Sequence, residues 1–351
     1  MEPVNFKHHG QLYFADGNIV LIARTAADER VAFRVHQSVM ARNSPIFADM
    51  LSLPLSGAVE SYDGVPFVRM PDPAEDLERL LQVLYIQPML QIKRFDSDTP
   101  LIVKPLLILA NKYEIQHLRA NIIQKLEEDW PRTLSEWDEI EHYAEGKAKT
   151  CVQDVQWDRT CDDFPDLHLP EAASAINLSH ACNVPNILPA AFYHLSRISI
   201  LHDWDRTHVA LEDNGIPDYS DLVNGARTAR WNLLSKEDFI CLLTGRERLK
   251  DAINVKVWTE HNAHVTHPHP NEDYGGCKSK YWSKVWDVVE RACRESSDVL
   301  KTLRDVVDIL QSSGNPALCY SCEHGIKKGI DEVRNEIWNG LHDYFDLPLR
   351  A

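Results

Sequence analysis

Apolar and polar positions change rhythm several times along this chain. From about residue 11 the pattern is strand-like. After the turn signal Gly17-Asn18, the run Ile19-Val20-Leu21-Ile22-Ala23 is unbroken and short, as a buried strand requires. The polar turn Ala27-Asp28-Glu29-Arg30 follows. Val31, Phe33 and Val35 then alternate with Ala32, Arg34 and His36, which predicts a second strand with one face buried. The two runs are spaced as a hairpin. Ser44-Pro45 predicts a helix start, with Ser as N-cap and Pro at the first helical position, and places Phe47, Met50 and Leu51 on one face. Met50 and Leu51 read as core. Residues 65–70 read as a third short strand, with Pro66 at its start or on an edge. Asp72-Pro73-Ala74-Glu75 predicts a capped helix in which Asp72 accepts from free N–H groups and Glu75 reaches back. Leu77, Leu80, Leu81 and Leu84 supply its single apolar face. A loop over 95–100 leads to a helix from Leu106 to about Tyr113, then to one carrying Leu118, Ile122 and Leu126 at steps of four.

Residues 11–131 therefore predict an α+β domain, a small sheet covered by helices, after a short tail over 1–10. From 132 to 351 the chain reads as mainly helical. Candidate helices cover Pro170 to Cys182, Ile187 to Leu201, 279–311 and 326–345. Another begins at a capping box of Ser235 and Asp238, ahead of Phe239, Ile240 and Leu243. Segments 144–170, 202–230 and 262–276 read as loops. No internal repeat is visible.

Composition narrows the function classes. Hydrophobic residues make up 44% of the 351, enough for packed cores. The longest apolar stretch, near residues 101–110, is broken by Lys104 and Pro105, so no segment reaches the ~20 apolar residues of a membrane span. The opening MEPVNFKHHG lacks the apolar core of a secretory signal. The net charge is −16, spread along the chain, and no clustered Lys and Arg offers a phosphate-binding patch, which argues against direct nucleic-acid binding. Eight dispersed cysteines and no export signal suggest mostly free thiols inside the cell, in cytoplasm or nucleus.

Residues 16–51 resemble the opening of BTB/POZ domains. There a strand hairpin leads into a helical motif, H-x-x-x-(L/M)-x-x-x-S-x-x-F, and His36, Met40, Ser44 and Phe47 occupy its positions. Pro66-Phe67-Val68, the helix from Leu77 to Tyr85, and the segment Leu106 to Leu118, with Ala110, Lys112 and Tyr113, are similar to the family's later blocks in order and spacing. Downstream, Ile187 to Tyr193 resembles an "iLPaAlY" block of a large group of basidiomycete fungal proteins. Leu318-Cys319-Tyr320-Ser321-Cys322 and Arg334 to Trp338 resemble that group's "LC-x-x-C … R-x-x-x-W" ending.

The resemblance implies a non-enzymatic protein-binding module. Many BTB domains homodimerise through an N-terminal helix and strand. Here only about ten residues precede the first strand and they form no amphipathic helix. Shorter BTB-like folds bind a cullin or another partner through the helices after the second and third strands, which correspond to residues 45–60 and 85–100. Leu53 and Leu55 are the contact candidates there. His36, which in isolation looks catalytic, reads as a buried scaffold histidine bonded to backbone, and Asp16-Gly17 as a turn.

Zinc is the sharpest chemical candidate. Cys319-x-x-Cys322 has knuckle spacing, with His324, Cys277 and Cys293 as further candidate ligands, but there is no second CxxC and a structural site needs four ligands. The alternative is two free thiols, one buried as a small hydrophobe. His264, His267 and His269 sit among prolines and acids, as in a solvated loop. No nucleophile elbow, P-loop or dinucleotide fingerprint occurs, and no cofactor is expected. Trp130, Trp137, Trp157, Trp204, Trp231 and Trp258 read as packing anchors. The leading reading is an adaptor, with a cullin-type ubiquitin ligase as one partner. The alternatives are a self-associating structural or transcription-associated protein and, more remotely, an enzyme with an unrecognised site in the helical region.

Overall fold

The apolar run over residues 19–23 becomes the middle strand of a sheet because both its faces are covered. The computed structural model describes residues 6–53, 61–86, 92–156, 165–208, 222, 225–263, 282–306 and 320–347. The chain divides into two compact units, Met1–Glu128 with Ala181–Asn183, and Asp129–His180 with Val184–Ala351. The first unit holds a five-stranded sheet in the order β1-β3-β2-β5-β4. Its strands are β1 (Lys7–Tyr13), β2 (Ile19–Arg24), β3 (Arg30–Val35), β4 (Ser61–Tyr62) and β5 (Val65–Pro73). β2 and β3 form the expected antiparallel hairpin, with Leu21 opposite Phe33. Val20, Ile22 and Ala32 turn to one side, where Phe6 and Phe67 cover them. Both faces of β3 are thus shielded, since Ala32 is as buried as Val35.

Two strands escaped the sequence pattern. β1 starts at Lys7, inside the stretch read as a tail, and runs parallel to β3. Its alternation is polar because only Leu12 is buried. β4 is a two-residue strand joined to β5 by Asp63-Gly64, both with positive φ, as a tight primed hairpin turn demands. The D-G signal for it stood in the sequence.

Helices α1 (Gln37–Asn43), α2 (Pro45–Ser52), α3 (Ala74–Tyr85), α4 (Thr99–Lys112) and α5 (Gln116–Asp129) complete the unit. Ser44 caps α2 as expected, accepting from the Phe47 N–H at 3.0 Å. Two expectations fail. α4 begins at Thr99 and carries Pro105 inside it, so the supposed break is helix. Asp72 caps nothing: it ends β5, and the cap position is Pro73 with no side-chain bond. Glu75 accepts instead from the Ala26 N–H at 3.2 Å.

Buried Asp72 takes up a tertiary role. Its carboxylate accepts from Lys112 Nζ at 2.5 Å and from the Tyr113 hydroxyl. Tyr113 stacks on Phe47, centroids 4.4 Å apart, and its carbonyl accepts from the Ser44 hydroxyl at 2.5 Å. One buried cluster thus ties the end of β5, the start of α2 and the end of α4. Burial, then the Asp72 carboxylate, pushes the Tyr113 phenol well above its ordinary range, so it stays a donor.

The second unit is mainly helical, with α6 (Leu134–Gln156), α7 (Ala172–Cys182), α8 (Leu188–Ser196), α9 (Trp204–His208), α10 (Lys236–Ala263), α11 (Trp282–Glu295), α12 (Val299–Arg304), α13 (Tyr320–Asn339) and α14 (Leu341–Tyr344). α6 runs thirteen residues into the stretch read as loop from 144, and α9 lies in the one read as loop from 202. The Ser235–Asp238 capping box forms, with reciprocal bonds of 2.9 and 3.1 Å. The face of α10 that packs is Leu242, Leu249 and Ile253, while Ile240 and Leu243 are exposed. Gly245 lies on the packed face, where an added Cβ would fall 1.9 Å from the buried Phe345 ring.

Arg197 organises this unit's centre. It is nine-tenths buried and grips Glu141 with two bonds of 2.8 Å. It also pairs with Asp298 and donates to His194 Nδ1 at 2.6 Å. Its guanidinium lies 4.6 Å over the Trp137 ring. Tyr193 donates to Asp298 at 3.0 Å, and Asp298 caps α12. Trp338 stacks near Trp137 and donates to the Arg132 carbonyl at 3.0 Å, while buried Arg334 pairs with Asp138 at 2.5 Å. Of the tryptophans read as anchors, Trp130, Trp137, Trp204 and Trp231 are buried; Trp157 and the Trp258 side chain lie outside the described residues. Cys182, Cys241 and Cys293 are free, as expected, whereas Cys151 is disulfide-bonded.

Four expected outcomes follow from this packing. Tyr113→Phe leaves Asp72 short of a buried donor and should cost about 1–3 kcal/mol in urea unfolding. Gly245→Ala should destabilise by ~1–3 kcal/mol through overpacking. Gly146→Ala, on α6 with open space around its Cβ, should instead stabilise by ~0.5–1 kcal/mol. The fourth concerns acid. Burial holds the His194 imidazole well below its ordinary 6.5, and the Arg197 guanidinium overcomes the cost of burial to hold Glu141 at about 2. In both cases the unfolded chain takes up the proton first, so stability falls as pH falls. Scanning calorimetry should show a melting temperature that declines below about pH 6.5 and more steeply from about 4.5 towards 2. His194→Gln should flatten the upper part of that decline alone.

Candidate interaction surface

The residues that carry the family resemblance are mostly consumed by scaffold. Met40 and Phe47 are fully buried, and Ser44, Lys112 and Tyr113 belong to the Asp72 cluster. His36 is partly exposed rather than buried, and its ring meets the Asp16 carboxylate at 3.3 Å instead of backbone. That hydrogen bond holds the Asp16 carboxyl below its ordinary range. The backbone at His36 is served by Tyr85, whose hydroxyl accepts from the His36 N–H at 2.9 Å. Phe14 stacks on the same Tyr85 ring at 5.0 Å. Asp16-Gly17 is a turn, as expected. A Cβ at Gly17 would come within 2.8 Å of Arg34 Cγ and 3.0 Å of the β3 backbone, so only glycine fits there.

What remains outside this scaffold is apolar. On α2, Ile46 and Met50 recur at i and i+4 on one helical face, and Leu53 follows as its extended C-cap. Ile46 is 38% exposed and Leu53 66% exposed, with Met50 half-buried between them. Met50 and Leu51 are therefore not the core residues that the sequence suggested. Short α2 has only one buried anchor, Phe47, and its other apolar side chains stay at the surface. Leu53 is exposed, as a contact residue must be, while Leu55 lies outside the described residues. Leu101, Ile102 and Ile108 form a second exposed apolar stripe on α4, flanking the half-buried Pro105. The sequence reading missed this stripe. Its signal was present, since the 101–110 run is too uniformly apolar for a helix with only one buried side.

The zinc candidates are not brought together in what is described. Cys277 and Cys319 lie outside the described residues, as do His264, His267 and His269. Cys322 sits in α13 with its side chain undescribed, and His324 is exposed on that helix. Cys293 is buried, and burial pushes its thiol up to about 12, which disfavours a thiolate ligand. Among the described residues no group of three or more His, Cys, Asp or Glu is placed to hold a metal ion. Also among these residues, no helix is long and apolar enough to cross a membrane.

Against known proteins, no curated sequence matches the chain. A family model does match, over residues 18–129, which takes in β2 through α5 and the whole Asp72 cluster. That domain family is one of protein–protein interaction modules. The motif order, the small sheet with its helices and this match agree: the N-terminal unit of the chain is a BTB/POZ domain.

Proposed function

We propose that this protein is a non-enzymatic intracellular adaptor whose BTB/POZ domain grips a partner protein through the apolar ridge of α2. The observation that carries the reading is the pair Ile46 and Leu53, exposed on α2 and at its C-terminal cap, on a helix anchored by buried Phe47. Exposed apolar side chains on a rigid, well-anchored helix cost solubility and suit a helix-sized groove on a partner. A cullin-type ubiquitin ligase scaffold is the partner class that the domain's resemblance favours, with the helical unit left to engage a second protein. Self-association is the second reading. It is favoured by β1, which stands at the edge of the sheet with no further strand beside it among the described residues.

Ile46→Glu with Leu53→Glu should leave the melting temperature within a few degrees of the parent, since both side chains are exposed. The double variant should lose at least tenfold in recovery of copurifying partner from cells. An unchanged partner list, or a parent chain that brings down no stable partner, would count against the adaptor. Sedimentation of the full chain separates the second reading. A concentration-independent dimer supports self-association, and a monomer at micromolar concentration supports a different partner.

A further inference from the structure

We propose that the helical unit binds a small oxyanion, a phosphate or carboxylate group, in a half-open cavity of about 430 Å³ beside Arg197, with Arg227 as its principal ligand. The inference rests on an account of every charged group on the cavity wall. Three carboxylates line it, and all three are already engaged within the unit. Glu141 holds Arg197 by two bonds of 2.8 Å. Asp298 pairs with Arg197, accepts from the Tyr193 hydroxyl and caps α12. Glu145 pairs with both Lys301 and Arg304. Arg227 lines the same cavity and has no hydrogen bond or ion pair among the described residues. Desolvation pulls it down to about 10 even with Glu141 and Asp166 near enough to oppose the fall. It is still a cation at neutral pH, and among the described residues no carboxylate lies within ion-pair distance of it.

The neutral donors on the wall point to the same ligand class. His194 takes an N–H from Arg197 on Nδ1 at 2.6 Å, and its imidazole is held neutral by burial, so the ring proton sits on Nε2. The Ser199 oxygen already accepts from the Leu201 N–H at 3.3 Å, which leaves its hydroxyl hydrogen to donate. Arg197 adds no free donor, since its terminal nitrogens are engaged by Glu141, Asp298 and His194 and its Nε is buried away from the cavity. Three cations and three carboxylates line the wall and balance in number, but the carboxylates are engaged with Arg197, Lys301 and Arg304, which leaves Arg227 as the unmatched cation and no spare carboxylate with which to hold a metal or amine. A guanidinium fork matches two oxygens of a carboxylate or phosphate, and such pairs strengthen as they are taken out of bulk water. The chain's net charge of −16 repels anions overall, so an anion is held here only by direct contact with the Arg227 fork.

Isothermal titration of the full chain with sodium phosphate and, separately, with sodium succinate tests this, using sodium chloride at matched ionic strength as the baseline. Saturable one-to-one binding of either, tighter than about 1 mM, is the expected result, and the arm that binds identifies the head group. Arg227→Gln should weaken it at least tenfold. Arg227→Lys, which keeps the charge but loses the fork, should fall between. Arg248→Gln, at an exposed arginine of the same unit, should bind as the parent does. Heat identical to the chloride baseline in both arms would overturn the proposal. So would binding that Arg227→Gln leaves intact. If Arg227→Gln does not fold, the parent's titration against chloride and the Arg227→Lys variant still decide.

Discussion

The BTB/POZ unit depends on one buried carboxylate. Asp72 leaves the sheet at the end of β5 and receives Lys112 and Tyr113 from the end of α4. An ionised acid taken out of water is costly unless its lone pairs are met by charge and by hydrogen bonds. Here both donors come from adjacent residues some forty positions downstream, so the chain can satisfy Asp72 only by bringing α4 back against the sheet. Tyr113 then extends the constraint, fixing α2 through its ring on Phe47 and its carbonyl on Ser44. Sheet and helices are oriented by this cluster more specifically than apolar burial alone would orient them.

That constraint explains the interaction surface. α2 spans only eight residues and is pinned at its first turn by Ser44, Pro45 and Phe47. So short a helix is marginal alone, and its anchoring at one end presents Ile46, Met50 and Leu53 as a fixed ridge. A partner binding there would not have to order the helix first, which lowers the entropic cost of association.

The helical unit solves a similar problem with the opposite charge. Arg197 is the buried ion, and Glu141, Asp298 and His194 close around it while Trp137 covers its face. Residues from the downstream sequence blocks meet here: Tyr193 reaches Asp298, Trp338 packs near Trp137, and Arg334 holds Asp138. Those blocks are accounted for by packing. The cavity beside them is where the unit keeps unmet donors.

Much of this architecture was legible from residue order. The β2–β3 hairpin, the Ser44 cap, the leucine face of α3, the four-step spacing in α5 and the Ser235–Asp238 box are local, set by propensity and periodicity over a few residues. The helical character of the second unit was legible in the same way. Distant pairing was not. β1 is polar and becomes a strand only because β3 offers an edge. Asp72 carries the local signature of a helix cap, yet its stronger partners lie on α4. Met50, Ile240 and Leu243 are apolar at helical spacing, but nothing in the sequence says which side of a helix another element will cover. The absence of a basic patch along the chain was a correct reading of sequence neighbours. Only the tertiary structure sets Arg197, Arg227 and Lys301 with Glu141, Glu145 and Asp298 around one cavity and leaves Arg227 unmatched there, because pairing in space depends on the fold and not on order along the chain.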